Sequence, residues 1–181
     1  MKRELIVVIA ASLCAALAGA LLYRYTLYQP QIISAQTDAS QQEPALSFEQ
    51  LVLNDLQDRP RFLSEWKKPV LILNFWAPWC APCRREIPDL LAIQQDYPEQ
   101  VQLLGLSFDS KQNVIDFMQD YAFNYPLLLV QSEASQFNRY FGNEGSGLPF
   151  TVILNRERQI VYRHRGEITR VELESELKAR L

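Results

Sequence analysis

One stretch constrains this chain more than any other: Asn74-Phe75-Trp76-Ala77-Pro78-Trp79-Cys80-Ala81-Pro82-Cys83-Arg84-Arg85-Glu86-Ile87-Pro88. Val70 to Trp76 reads as a strand buried on both faces, because it is a near-continuous apolar run rather than an alternating one. A short turn follows, and a helix begins at or beside Cys80. Two thiols three positions apart on a helix's first turn are neighbours in space, close enough to close a disulfide or to open one. The first also sits where free N–H groups and the helix dipole favour an anion. Such surroundings lower a cysteine pKa from about 8.5 to roughly 3.5–7.5, and the thiolate is the nucleophile in disulfide exchange. Cys80 is therefore the candidate for attack, and Cys83 the thiol that resolves.

The alternatives for two cysteines are weaker. The chain holds three, and Cys14 falls inside an apolar N-terminal run, where it reads as a small apolar residue. A structural zinc site wants four Cys or His ligands, and the single histidine, His164, is distant in sequence and flanked by Arg163 and Arg165, as a surface strand residue would be. Haem attachment needs His directly after the second cysteine, where Arg84 stands. Iron–sulfur ligation needs four thiolates. No metal and no cofactor is expected. A formal charge of −3 gives no sign of the clustered basic face that nucleic acid requires.

The chain opens with Lys2, Arg3 and Glu4, then runs uncharged from Leu5 to Leu22. That run is about 18 residues, roughly 27 Å as a helix, close to the hydrocarbon thickness of a bilayer. Tyr23, Tyr25 and Tyr28 suit the water interface, and Arg24 can snorkel. The flanking charges keep the N-terminus inside and the following domain outside. Residues 1–28 are thus expected to be a transmembrane anchor. A cleaved signal peptide is the alternative, with Ala16-Leu17-Ala18 as a small-residue cleavage site, although the run exceeds the usual signal core. Residues 29–45 are polar, without apolar periodicity, and read as a flexible tether of about 23 Å r.m.s. reach, or as a mere spacer.

Residues 46–181 carry the folded domain. Ser47 to Leu53 suggests an early strand, Asp58-Arg59-Pro60 a turn, and Val101 to Ser107 another strand. Asn113 to Ala122 places Val114, Phe117, Met118 and Tyr121 at helical spacing, a stripe that reads as core packing. Pro126 to Val130 is a short strand, and Glu133 to Phe141 a short helix stopped by Gly142. Phe150–Leu154 and Gln159–Arg163 form a hairpin. A last helix carries Leu173, Leu177 and Leu181, capped by Thr169 with Glu172 three positions on. Strands alternating with helices, then a hairpin and a helix, give a mixed α/β sheet covered on both faces.

The dithiol wording, with Gly147-Leu148-Pro149-Phe150-Thr151 downstream, resembles the thioredoxin superfamily, and within it the TlpA-like and ResA-like membrane-anchored thiol-disulfide oxidoreductases. The resemblance covers about residues 46–181. It implies a thioredoxin-like fold, with the segment between about residues 110 and 130 as that group's insert. It also implies a reductant that acts on disulfide-containing proteins outside the bacterial cytoplasmic membrane. A membrane thiol-reducing partner would recharge it, and apocytochrome c or copper-handling proteins would be its clients. The Gly-Ala-Pro-Glu loop frequent in cytochrome-maturation members is replaced here by Gly147-Leu148-Pro149-Phe150. Two rivals stand beside this reading: a thiol oxidant of the same fold, and a module holding Cu(I) on the two thiolates.

Individual residues follow from the same resemblance. Pro149 corresponds to the family's cis-proline, bringing the Leu148 backbone beside the sulfurs to pair with an extended substrate. Trp79 is read either as a shield and substrate contact for Cys80 or as a half-buried core aromatic. Pro82 restricts the dithiol loop, as in reducing relatives, and Pro88 is read as architectural, kinking its helix. Glu86 lies one helical turn after Cys83. ResA-like proteins keep an acid there that influences thiol titration, whereas thioredoxin uses a buried Asp at the position of Asn74. Glu86 is read as the proton-handling group, or else as a solvated glutamate that merely favours the helix dipole.

Overall fold

The structure is a computed structural model that describes residues 17–25 and 47–181. The chain divides into two compact units, Met1–Ala45 and Leu46–Leu181. In the first, residues 17–25 are helical (α1), with Leu17, Leu21, Leu22, Tyr23 and Tyr25 exposed. The expected anchor and tether otherwise lie outside the described residues. Among the described residues no helix is long and apolar enough to cross a membrane.

The second unit is ordered around β3 (Val70–Trp76), whose seven residues are all buried. It pairs in parallel with β4 (Val101–Ser107) and antiparallel with β6 (Phe150–Leu154), so its ladder is filled on both sides. With β1 (Val52–Asp55), β2 (Pro60–Phe62), β5 (Leu127–Leu129) and β7 (Ile160–Arg165), the sheet runs β2-β1-β5-β4-β3-β6-β7. Successive side chains of a strand point to opposite faces. Val70, Ile72 and Trp76 therefore enter one core with Ile87, Leu90 and Ile93 of α2 (Ala81–Asp96), Val114 of α3 (Lys111–Phe117), and Leu173 and Leu177 of α5 (Arg170–Lys178). Leu71, Leu73 and Phe75 enter the other, with Phe137 and Phe141 of α4 (Ala134–Phe141) and the N-terminal Phe48, Leu51, Leu63 and Trp66. The result is the expected thioredoxin-like sheet with helices on both faces.

Several boundaries differ from the sequence reading. Ser47–Leu53 is not one strand: Phe48–Gln50 is a 3-10 turn, closed by the Ser47 N–H donating to Gln50 Oε1 at 2.9 Å, and pairing starts only at Val52. Pro60 opens β2 rather than ending a turn; it pairs with Asn54, and the tip is organised by Asp55, which accepts from the Gln57 and Arg59 N–H groups. Helix α3 starts earlier and ends earlier than 113–122. Ser110 Oγ caps it by accepting from the Asn113 N–H at 3.2 Å, and after Phe117 the chain folds back so that Tyr121 stacks on Phe117 at 4.6 Å. Leu181, read as a helix-face residue, lies beyond α5 and is exposed. Pro88 lies inside α2, as expected.

One glycine is required by packing. A Cβ on Gly105 would come within 2.6 Å of Leu127 Cδ2 and 3.0 Å of Trp76 Nε1. The bare backbone there makes room for the indole that ends β3.

Candidate active site

The end of β3 delivers the chain into a tight turn, in which the Cys80 N–H donates to the Ala77 carbonyl at 3.0 Å. Cys80 takes the extended conformation of a helix N-cap, and its Sγ accepts the Cys83 N–H at 3.3 Å. A sulfur thus occupies the place usually taken by a capping oxygen, where an otherwise unpartnered N–H of the first turn needs an acceptor. Pro82 falls in that turn, where the missing N–H costs nothing. Cys80 and Cys83 are joined as a disulfide, with Cα atoms 5.2 Å apart. Their exposures are unequal. Cys80 keeps 4% of its surface and Cys83 none, so what little exposure the pair has belongs to Cys80.

Trp79 stands beside this opening with 67% of its surface exposed, which excludes the half-buried core reading. Across the sheet, β6 begins at Phe150, paired with Phe75, so Pro149 lies at the same sheet end as the dithiol. The Leu148–Pro149 peptide is cis, Pro149 is buried, and its carbonyl accepts the Gly166 N–H at 2.9 Å. Leu148 packs against both cores, the first of which contains Cys80 and Cys83.

One turn below Cys83, Glu86 is buried to 1% exposure, which overturns the solvated reading. Its Oε1 accepts from Asn74 Nδ2 at 2.7 Å and its Oε2 from the Ile168 N–H at 3.0 Å. Asn74 also donates to Thr151 Oγ1 at 3.2 Å. Burial raises the Glu86 carboxyl pKa to about 7. The two hydrogen bonds favour the anion and offset part of that rise, while Glu167 and Asp89 add to it. Tyr125, itself buried, has its phenol pushed upward, first by burial and then by the Glu86 charge. The acid is therefore poised to hold or release a proton near neutrality.

Two further buried polar atoms lie at this end of the sheet. Among the described residues, Trp76 Nε1 and Ser107 Oγ find no hydrogen-bond partner. His164 lies on β7, half-buried, its Nε2 3.0 Å from the Glu167 carbonyl oxygen. Among the described residues no group of three or more His, Cys, Asp or Glu side chains is placed to hold a metal.

Sequence reasoning misses Thr151, Tyr125 and the Ile168 N–H. Thr151 has a faint signal, a hydroxyl inside the apolar run Phe150–Leu154. A backbone N–H some eighty residues from its acceptor has none.

A model of the AhpC/TSA family matches residues 42–163. The thiol-disulfide oxidoreductase ResA of Bacillus subtilis is 29% identical over 147 residues, covering 80% of this chain and 78% of that protein. The thioredoxin-like protein YneN of the same organism is 27% identical over 157 residues, covering 84% of this chain and 85% of its own. Among solved structures, a thioredoxin-related protein from Neisseria meningitidis superposes with a TM-score of 0.63 at 29% identity, covering 70% of this chain and 96% of that one.

Proposed function

The chain belongs to the AhpC/TSA family, and from that premise we propose that it is a thiol-disulfide oxidoreductase working through Cys80 and Cys83. One observation carries the reading: two sulfurs bonded to each other at a helix N-terminus, with Cys83 fully buried and Cys80 the one that keeps any exposure. In the reduced protein the Cys80 thiolate attacks one sulfur of a substrate disulfide, forming a mixed disulfide and releasing the first substrate thiolate. Cys83, having given up its proton, attacks Cys80 Sγ. The mixed disulfide breaks, the second substrate thiolate leaves, and the Cys80–Cys83 disulfide forms. Two electrons have moved to the substrate.

Glu86 receives the Cys83 proton, directly or through water, since a carboxylate with a pKa of about 7 is matched to work at neutral pH. Leu148, held ahead of cis Pro149, offers its backbone to the substrate in β-fashion, and Trp79 provides an apolar contact beside the nucleophile.

The direction is reductive, by similarity to relatives with proline in the dithiol loop. Residues 1–28 anchor the domain on the extracytoplasmic face of the bacterial inner membrane, and residues 29–45 tether it. A membrane thiol donor restores the dithiol there, and clients such as apocytochrome c or copper-handling proteins meet it on that face. The apolar run with its charged flanks supports this placement.

The test is covalent. Cys83→Ala, offered oxidised insulin, accumulates a mixed disulfide through Cys80, and Cys80→Ala accumulates none. Absence of any adduct with Cys83→Ala overturns the assignment. A reduction potential near about −120 mV rather than about −270 mV overturns the direction.

A further inference from the structure

The loop that delivers Leu148 and Pro149 is held by polar contacts instead of packing. Residues 144–147 are exposed, and a Cβ on Gly145 or Gly147 would meet none of the described residues within 4 Å. Its outer side opens on a groove of about 420 Å³ lined by Ser135, Asn138, Arg139, Glu144 and Ser146. Within the turn, Asn143 alone is fully buried.

Helix α4 ends on Gly142 at φ 80°, with the Gly142 N–H donating to the Arg139 carbonyl at 3.3 Å and the Asn143 N–H to the Asn138 carbonyl at 2.7 Å. Helix endings of this kind usually add an apolar contact between the residue after the glycine and one in the last turn. Here both positions are asparagine. Asn143 Nδ2 donates to Asn138 Oδ1 at 3.0 Å and to the Gly147 carbonyl at 3.1 Å, the latter one residue short of Leu148. The Asn143 carbonyl accepts the Ser146 N–H at 2.8 Å, and Asn138 Nδ2 donates to Ser146 Oγ at 3.0 Å. From β7, Arg165 donates to Asn143 Oδ1 at 3.1 Å and to the Gly142 carbonyl at 2.6 Å, while its guanidinium lies 5.3 Å from the Phe150 ring centre.

We propose that Asn143, braced by Arg165, is a positioning residue that fixes the loop ahead of Pro149 for pairing with a polypeptide substrate. The inference rests on the oxidoreductase reading and adds a requirement to it. A polypeptide must find the Leu148 backbone already in place, because every loop residue ordered on binding costs conformational entropy. A small disulfide needs only the Cys80 sulfur. The two substrate classes should therefore part company when the brace is cut.

Asn143→Ala and Arg165→Gln are assayed against insulin and against 5,5′-dithiobis(2-nitrobenzoate), with KM and kcat separated. The Asn143 variant should lose about tenfold in kcat/KM for insulin, the factor that ~1.4 kcal/mol carries, with the loss in KM. Its rate with the small disulfide should stay within about twofold. Arg165→Gln, altered at an exposed side chain, should show a smaller loss of the same kind, and it decides alone if Asn143→Ala does not fold. Unchanged insulin kinetics in folded variants overturn the proposal, as does an equal loss on both disulfides. A wild-type protein inert toward both disulfides defeats the oxidoreductase reading itself, a result distinct from either of these.

Discussion

Replacing Glu86 by Gln removes the buried acid one helical turn from Cys83, and its effect on stability can be worked from the structure. The carboxyl titrates at about 7 when folded, against an ordinary value of 4.5. That gap is worth about 3 kcal/mol at ~1.36 kcal/mol per pH unit. The sign follows from proton binding. Below 4.5 folded and unfolded chains both hold the proton, and the fold bears no cost. Between 4.5 and about 7 the unfolded chain releases a proton that the folded chain retains, so stability falls as pH rises. Above 7 the fold carries a buried carboxylate and the loss is complete. The substituted amide puts an NH2 where one of the two carboxylate oxygens stood, so either Asn74 Nδ2 or the Ile168 N–H loses its acceptor and a pH-independent penalty of about 1–3 kcal/mol is added. Urea unfolding of the oxidised protein from pH 4 to 9 measures this, with Cys80 and Cys83 silent because they are bonded to each other. Asp55, Glu65, Glu172 and Glu174, whose carboxyls sit below their ordinary values, contribute in the opposite sense. They are common to both proteins and cancel in the difference. The variant should be the less stable protein at pH 4, then gain about 3 kcal/mol on wild type by pH 9. A difference that stays flat within about 1 kcal/mol refutes the argument. In the reduced protein the same substitution should remove the limb near pH 7 from the rate of disulfide reduction, and an unchanged profile removes Glu86 from proton handling.

Two other substitutions separate stability from recognition. Trp79→Ala, at an exposed indole, should change stability by no more than about 0.5 kcal/mol yet lower kcat/KM on a protein disulfide about fivefold; equal activity in a folded variant refutes the substrate contact. Gly105→Ala forces a methyl against Leu127 and Trp76 and should cost about 1–3 kcal/mol in urea unfolding, an expectation sunk by an unchanged midpoint.

The sheet is legible in the sequence because its central strands bury both faces. Val70–Trp76 is a near-continuous apolar run of the kind a covered interior strand carries, and both Val70–Trp76 and Val101–Ser107, read as strands, coincide with the observed strands to the residue. The last helix is equally plain, since Thr169 and Glu172 form the reciprocal cap that their spacing predicts. Edges are harder. Ser47–Leu53 contains strand formers, but a local bond from Ser47 to Gln50 turns the backbone first, and its signal is the same three-residue spacing as at Thr169 and Glu172, which a reading by hydrophobic alternation passes over.

The site divides along the same line between local and remote causes. Cys80 and Cys83 are legible because three positions on a first helical turn fix their proximity whatever the rest of the chain does. Glu86 is half legible: its place one turn below Cys83 follows from helical spacing, but its burial does not. The burial depends on Asn74 from β3 and on the N–H of Ile168, residues brought to the same carboxylate by the pairing of β3 with β6 and the return of the chain into α5. Asn74 stands out in the sequence for what it lacks, a proton to exchange. In the structure that lack has a use. A neutral amide can donate to Glu86 without competing for its proton, whereas a second carboxylate there would share one proton with Glu86 and split the titration between them. The pair Asn74 and Glu86 thus leaves a single titrating acid beneath the dithiol, which is why one substitution suffices to test it.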